Sequence, residues 1–203
     1  MNAHVLAIDP GRSMGVALMS PEGNPVFHCQ LEMRDAVSRW KLIDRAVGRC
    51  LKRNTDLVVV REKWQSGGPK FRWSTAQIAG LGAAWGIWTE QFRLFAPWIP
   101  QSRFHAVYPS TWRSKVLRAH AKSREGWAEL ARKYVAARFG VDAAPDEAVA
   151  LCIGAYAFAS PKIIASAQEK PRWHKKVPQE WSFGSSGAKI VFSRRLDAGH
   201  PGD

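Results

Sequence analysis

The chain has 203 residues but only three cysteines, Cys29, Cys50 and Cys152, far apart and odd in number. No CxxC or Cys/His spacing suggests zinc, and the count offers no disulfide framework. The expectation is reduced thiols in a cytoplasmic protein. Long apolar runs are also missing. The longest uncharged stretch, Trp73 to Thr89, holds Ser74, Thr75, Gln77 and three glycines and spans 17 residues, short of the ~20 mainly apolar residues a bilayer requires. Asp9 interrupts the N-terminal apolar run, which argues against a signal peptide. The six histidines (His4, His28, His105, His120, His174 and His200) fall at no ligand spacing. Acids are scarce too: 17 Asp+Glu face 30 Lys+Arg, a formal charge of +13. That excess implies phosphate-rich partners or an anionic surface and does not bear on the fold.

The chain is otherwise globular in composition, at 46% hydrophobic, with room for one core and a tail. Short apolar runs bounded by Pro and Gly predict strands at 4–9, 14–20 and 25–31, joined by turns at Pro10-Gly11 and Pro21 to Asn24 in antiparallel meander order. Asp35 caps a predicted helix with Val37, Trp40, Ile43, Val47, Cys50 and Leu51 on one face. Leu57 to Val60 reads as a buried central strand ending at Arg61-Glu62. After a loop containing Gly67, Gly68 and Pro69, a long helix is expected at 74–93. Its small residues (Ala76, Ala79, Gly80, Gly82, Ala83, Ala84, Gly86) permit close approach of a neighbour. Phe104 to Tyr108 is a short strand, and Pro109 opens a turn or helical segment. Ser123 caps a helix that Gly140 stops, and Pro145 opens a last helix through Phe158. From Pro161 the chain loses periodicity and looks like a basic tail, with a short strand at Ala188–Ser193.

Among the few acids, Asp9 stands out, at the end of the first strand in Val5-Leu-Ala-Ile-Asp9-Pro-Gly. A buried carboxylate is costly unless paired or metal-bound, so a strand-end Asp in so basic a chain points to a metal site facing a polyanion. A cap for the Pro-Gly turn is the plainer alternative. Two further segments share this character: Val58-Val-Val-Arg-Glu62, and Asp146-Glu-Ala-Val-Ala-Leu-Cys-Ile-Gly-Ala-Tyr156. Together with Ala7 to Gly15, their order and spacing resemble the RuvC family of Holliday-junction resolvases, particularly its phage-type members, within the RNase H-like nuclease superfamily. The resemblance covers about residues 4–158.

It implies an α/β, RNase H-like fold with a mixed central sheet of about five strands flanked by helices. The nuclease domain would span 1–160, with a basic extension at 161–203. The implied activity is structure-selective endonucleolytic cleavage of branched DNA by a homodimer, in a protein that is intracellular and encoded by a host or a phage. The implied cofactor is a pair of Mg2+ ions, for which Mn2+ can substitute. Hard cations require carboxylate oxygens rather than His or Cys, and clustered carboxylates repel one another until metal binds. By resemblance Asp9 bridges both ions, Glu62 holds one, and Asp146 contributes from the last helix.

One position departs from the pattern. The last motif usually carries two metal-competent residues three apart, and here the second is Val149. Glu147 reaching the metal, Asp142 swinging in from its loop, and a site short of a ligand compete; the favoured expectation is Asp146 helped by Glu147 as a fourth metal ligand and catalytic acid, since the longer side chain can offset the register shift. Acids at a helix N-terminus also interact favourably with the macrodipole, which is the bland account of Glu147 and Asp146.

Two segments are candidates for holding nucleic acid. Arg103 to Arg124 carries six Lys/Arg (Arg103, Arg113, Lys115, Arg118, Lys122, Arg124), no acid, and Phe104, Tyr108 and Trp112. A phosphate track is expected from Arg113, Lys115, Arg118 and Lys122, with Lys115 or Lys122 able to stabilise charge on the scissile phosphate. A solvated basic face is the alternative. After Glu62, Lys63, Trp64, Lys70, Phe71 and Arg72 set aromatics beside cations, and Trp64 and Phe71 are candidates for stacking on unpaired bases. Helix 74–93 is the expected dimer face. Other readings compete: a junction-binding protein without the chemistry, a nuclease on RNA–DNA hybrids, and an actin-like ATPase. The last needs a second phosphate loop and a second domain for which the chain has no room.

Overall fold

The structure, a computed structural model, describes residues 2–11, 13–32, 36–53, 55–63, 99 and 101–168. Met1–Pro171 cluster as one compact unit. The expected helix at 74–93, the residues Trp64, Lys70, Phe71 and Arg72, and the expected strand at Ala188–Ser193 lie outside the described residues.

The first three strands are β1 (Ala3–Asp9), β2 (Ser13–Met19) and β3 (Pro25–Glu32). They form the expected antiparallel meander, with Val5 opposite Met19 and Asp9 opposite Gly15 across β1–β2. The β2–β3 turn closes through Ser20 N–H to Asn24 O at 2.7 Å and Gly23 N–H to Ser20 O at 2.9 Å. Gly23 sits at φ 84° there, where a side chain would be strained.

Helix α1 (Ala36–Lys52) then carries the chain across the sheet to β4 (Asp56–Glu62), which pairs parallel with β1. A single 3-10 turn, Gln101–Arg103, leads into β5 (Phe104–Val107), parallel to β4. The result is a mixed five-stranded sheet in the order β3-β2-β1-β4-β5. Helices α2 (Pro109–Val116), α3 (Arg124–Phe139), α4 (Pro145–Ala159) and α5 (Pro161–Gln168) follow.

The period-2 alternation of β1 and β4 sends their side chains into two cores. Leu6, Ile8, Leu57 and Val59 meet Leu42, Ile43, Ala46, Val47 and Cys50 of α1. Val5, Ala7, Val58 and Val60 meet α4, whose residues 148–154 are all buried. Helix α4 is apolar all round because the sheet lies on one side and α2, α3 and α5 pack on the others. The caps follow their sequence signals. The Ser123 hydroxyl accepts from Gly126 N at 3.1 Å, and Gly140 ends α3 at φ 67°.

Two features depart from the sequence reading. The segment after Pro161 begins with a helix, and Ile163 and Ala167 of α5 enter the α4 core. Its apolar positions are too few to show a period, and Pro161 resembles an interruption although it suits a first helical turn. Arg103, counted within the basic run, is 1% exposed: its Nη1 and Nη2 meet Asp56 Oδ1 at 2.8 Å and Oδ2 at 3.1 Å. This two-pronged pair ties the start of β4 to the entry of β5. Among the described residues no single helix is long and apolar enough to cross a membrane.

Candidate active site

Parallel register places the carboxylates. Ile8 is the Cα partner of Arg61, so Asp9 and Glu62 are the next residues on two adjacent strands. By alternation they follow Ala7 and Val60 on the α4 face. The third acid comes from α4. Its first turn holds Pro145, Asp146 and Glu147, and the peptide between Asp146 and Glu147 lies directly over Gly15, the strand partner of Asp9. A Cβ on Gly15 would overlap the Asp146 carbonyl group. Gly15 therefore lets the helix start seat against the strand pair that ends in Asp9. Asp9 and Glu62 thus lie at the carboxyl ends of neighbouring parallel strands, the edge where open α/β sheets take their ligands, and the Asp146 backbone lies over the strand partner of Asp9.

Glu62 is held by α2. The indole Nε1–H of fully buried Trp112 donates to Glu62 Oε2 at 2.7 Å, and Arg113 Nη2 stands 4.0 Å from the same oxygen. The Arg113 guanidinium packs over the Trp127 ring at 4.9 Å and the Trp112 ring at 5.3 Å. A hydrogen bond to a charged group contributes about 1.5–3 kcal/mol, enough to fix one rotamer of Glu62. Sequence reasoning placed Trp112 only among aromatics interleaved with cations. Nothing in its spacing pointed across 50 residues to Glu62.

Glu147 turns elsewhere. Its Oε2 meets His28 Nδ1 on β3 at 2.8 Å and accepts from Ala144 N, at the helix start, at 3.3 Å. These contacts tie the first turn of α4 to the sheet and cap it, in keeping with the helix-terminus account. His28, which no ligand spacing singled out, is the partner that sequence reasoning missed. Asp142 is highly exposed and 3.4 Å from Arg132 Nη2. Val149 is 9% exposed and belongs to the α4 core.

Carboxylate oxygens are the right donors for Mg2+, and Asp9 and Glu62 share an edge. Among the described residues, no group of three or more His, Cys, Asp or Glu side chains is placed so that it could hold a metal ion. The fit therefore lies in donor chemistry and backbone placement. Burial pushes the Cys50 and Cys152 thiols up to about 12, and burial followed by the Glu147 charge raises Cys29, all of which disfavours the thiolate form.

The described cations expected to meet DNA divide into two sets. Lys63 and Arg113 border Glu62. The Lys63 N–H donates to Val107 O at 2.6 Å, and its Nζ donates to Tyr108 Oη at 2.7 Å. Lys115, Arg118 and Lys122 are exposed, and Arg118 adopts φ 49° as the chain leaves α2. The run is thus exposed at Lys115, Arg118 and Lys122, part-buried at Arg113 and a core feature at Arg103.

No protein-family model matches the chain, and no curated protein matches it. Solved structures do match. Thermus thermophilus RuvC in complex with Holliday junction substrate aligns at TM-score 0.52 and 20% identity, over 83% of this chain and 99% of that one. A second Thermus thermophilus RuvC structure aligns at TM-score 0.47 and 16% identity with the same coverage. At this identity the likeness speaks for architecture alone: the chain has the α/β, RNase H-like fold of the RuvC resolvase.

Proposed function

We propose that this protein is a Mg2+-dependent endonuclease that cuts phosphodiester bonds in branched DNA, four-way junctions foremost, and acts as a homodimer. Two observations support the reading: the β1–β4 register makes Asp9 and Glu62 neighbours on adjacent strands, and the seat of α4 on Gly15 brings the Asp146 backbone over the strand partner of Asp9. The likeness to Thermus thermophilus RuvC in complex with a Holliday junction supports the substrate. The formal charge of +13 supports a polyanionic partner.

In this reading Asp9, Glu62 and Asp146 hold the divalent ions, with Mn2+ as a working substitute. Such ions supply a water made nucleophilic at neutral pH and charge that stabilises the leaving oxygen. The protein's own part is positional. Trp112 fixes Glu62, Gly15 sets the height of Asp146, and the Glu147–His28 contact keeps the α4 first turn on the sheet. Arg113 places positive charge beside the same edge for the phosphate, and Lys63, Lys115, Arg118 and Lys122 extend that charge over the surface. Lys122 is the candidate to meet charge developing on the phosphate. Trp64, Lys70, Phe71 and Arg72 add to the DNA surface in this reading, and the segment 74–93, expected from its sequence to be helical, supplies the dimer face. A two-fold dimer supplies two symmetric nicks.

A panel of four-way junction, fork, linear duplex and RNA–DNA hybrid, with and without Mg2+, tests the reading. Asp9→Asn, Glu62→Gln and Asp146→Asn should each abolish junction cutting and leave junction binding intact. Unchanged cutting by Asp9→Asn would refute the metal-site assignment.

A second reading, a branched-DNA-binding protein of the same fold without cleavage, is favoured by one observation: Val149 is packed in the core where the family pattern places an acid. Metal-independent junction binding with no cutting under any divalent ion would decide for it.

A further inference from the structure

Tyr108 has no part in the site described above, yet it stands at its rim. The β4–β5 register pairs Glu62 with Val107, so Lys63 and Tyr108 are the residues immediately beyond that pair, at the carboxyl ends of two parallel strands. Tyr108 is 42% exposed, the most exposed large hydrophobic side chain among the described residues. Isolated exposed apolar residues are common and need no function. Here two constraints hold the residue in place. Pro109 follows and restricts Tyr108 to extended backbone, observed at φ −71° and ψ 143°. The Lys63 ammonium lies 2.7 Å from Oη and 4.5 Å from the ring centroid, within cation–π range.

An ordered, accessible aromatic ring beside an ammonium matches the two halves of a nucleotide. The ring offers a π-face to a base, and the ammonium meets the adjoining phosphate. Paired bases are already stacked on both sides, so such a surface favours nucleotides that a branch point leaves unpaired. Helix α2 continues the surface with exposed Ser110, Thr111, Ser114 and Lys115, hydroxyls and a cation suited to a sugar-phosphate chain.

We propose that Tyr108 and Lys63 form a stacking platform for one unpaired DNA nucleotide next to the phosphate that lies at Glu62. This rests on the DNA-cleaving reading of the same edge and deepens it by naming a nucleotide subsite. It is a different assignment from that of Trp64 and Phe71, which follow Glu62 in the sequence.

The test uses the full chain carrying Asp9→Asn, so that nothing is cut. The probes are a short single-stranded DNA oligonucleotide, its RNA counterpart, and a four-way junction with 2-aminopurine at the crossover. Tyr108→Ala should weaken single-strand DNA binding about tenfold with the salt dependence unchanged, because stacking releases no counterions. It should also abolish the change in 2-aminopurine fluorescence on binding. Tyr108→Phe keeps the ring and should bind within about twofold of the parent. Lys63→Met should lower the log–log salt slope by about one unit. Tyr108→Leu preserves apolar bulk without a π-face, so it should fold like the parent and bind like Tyr108→Ala.

Parent-like binding by Tyr108→Leu, or equal loss in Tyr108→Phe and Tyr108→Ala, would overturn the platform. Tighter parental binding to RNA than to DNA would overturn the ligand class. If the parent binds single strands through Tyr108 but the unmutated chain neither binds nor cuts junctions, the platform stands and the branched-DNA reading falls. If junctions are bound and cut while Tyr108→Ala changes nothing, the platform alone falls.

Discussion

Replacing Gly15 with alanine isolates the geometry of the site without touching a carboxylate. The new Cβ would meet the carbonyl oxygen and carbon of Asp146 and the nitrogen of Glu147, which are backbone atoms with no rotamer to escape into. Restoring ordinary contact requires the start of α4 to withdraw from the strand by roughly 1–2 Å, and a misplacement of about 1 Å at a reacting group can cost ~100-fold in rate. Overpacking of this kind costs about 1–3 kcal/mol in stability. Gly15→Ala should therefore cut a four-way junction ~100-fold more slowly in single-turnover assays, lower the urea midpoint, and bind the uncut junction as the parent does. Gly154→Ala is the matched control. Its Cβ would meet the Met19 Cγ at 2.7 Å and Sδ at 3.2 Å, side-chain atoms of a fully buried residue rather than the backbone of the α4 first turn. Alanine within a helix gains about 1 kcal/mol in propensity over glycine, which partly offsets the overpacking, so this variant should lower the urea midpoint but cut near the parental rate. Parental cutting and stability in Gly15→Ala would show that Asp146 is not seated on β2, and the assembly of the three acids would have to be abandoned.

Trp112→Phe removes the indole donor to Glu62 while keeping a large ring; cutting should fall about 10–100-fold, in proportion to the ~1.5–3 kcal/mol of that hydrogen bond, and single-turnover rates measure it. Arg103→Met leaves Asp56 without its two-pronged partner and should cost about 3 kcal/mol in chemical denaturation, with the salt dependence of DNA binding unchanged because Arg103 is not on the surface. Acid should weaken the fold through His4. Burial first, then Arg49 and Arg53, hold its pKa below the ordinary 6.5 against a smaller opposing pull from Glu22. The folded state then binds fewer protons than the unfolded chain, so the stability is fully present above about pH 6.5 and is lost as pH falls below it. His4→Asn should show a smaller drop in urea midpoint between about pH 7.5 and pH 5.5 than the parent; equal drops would remove His4 from the account.

The strands and capped helices were legible because their signals are local. Pro10-Gly11, Ser123, Gly140 and Pro145 each mark a boundary through their own backbone or side-chain chemistry, and the alternation in β1 and β4 follows from burial on both faces. Asp9, Glu62 and Asp146 were legible as a set only through the family pattern, since no local rule joins three acids spread over 138 residues. The long-range contacts were not legible. Trp112 reaching Glu62, Glu147 reaching His28 and Arg103 reaching Asp56 depend on register and helix seating, which a one-dimensional pattern does not encode. Helix α5 was passed over because so short an element carries too few residues to display a period.

Asp146 sits at the start of a helix with little freedom to move. Residues 148–154 of α4 are buried without interruption, so the helix cannot open locally without exposing the core on that side of the sheet. Its amides should exchange with solvent only through global unfolding. Heat inactivation and melting should then share one midpoint, and the exposed segment around Lys122 should exchange well before it. A carboxylate mounted in this way makes the temperature range of activity a property of the whole core.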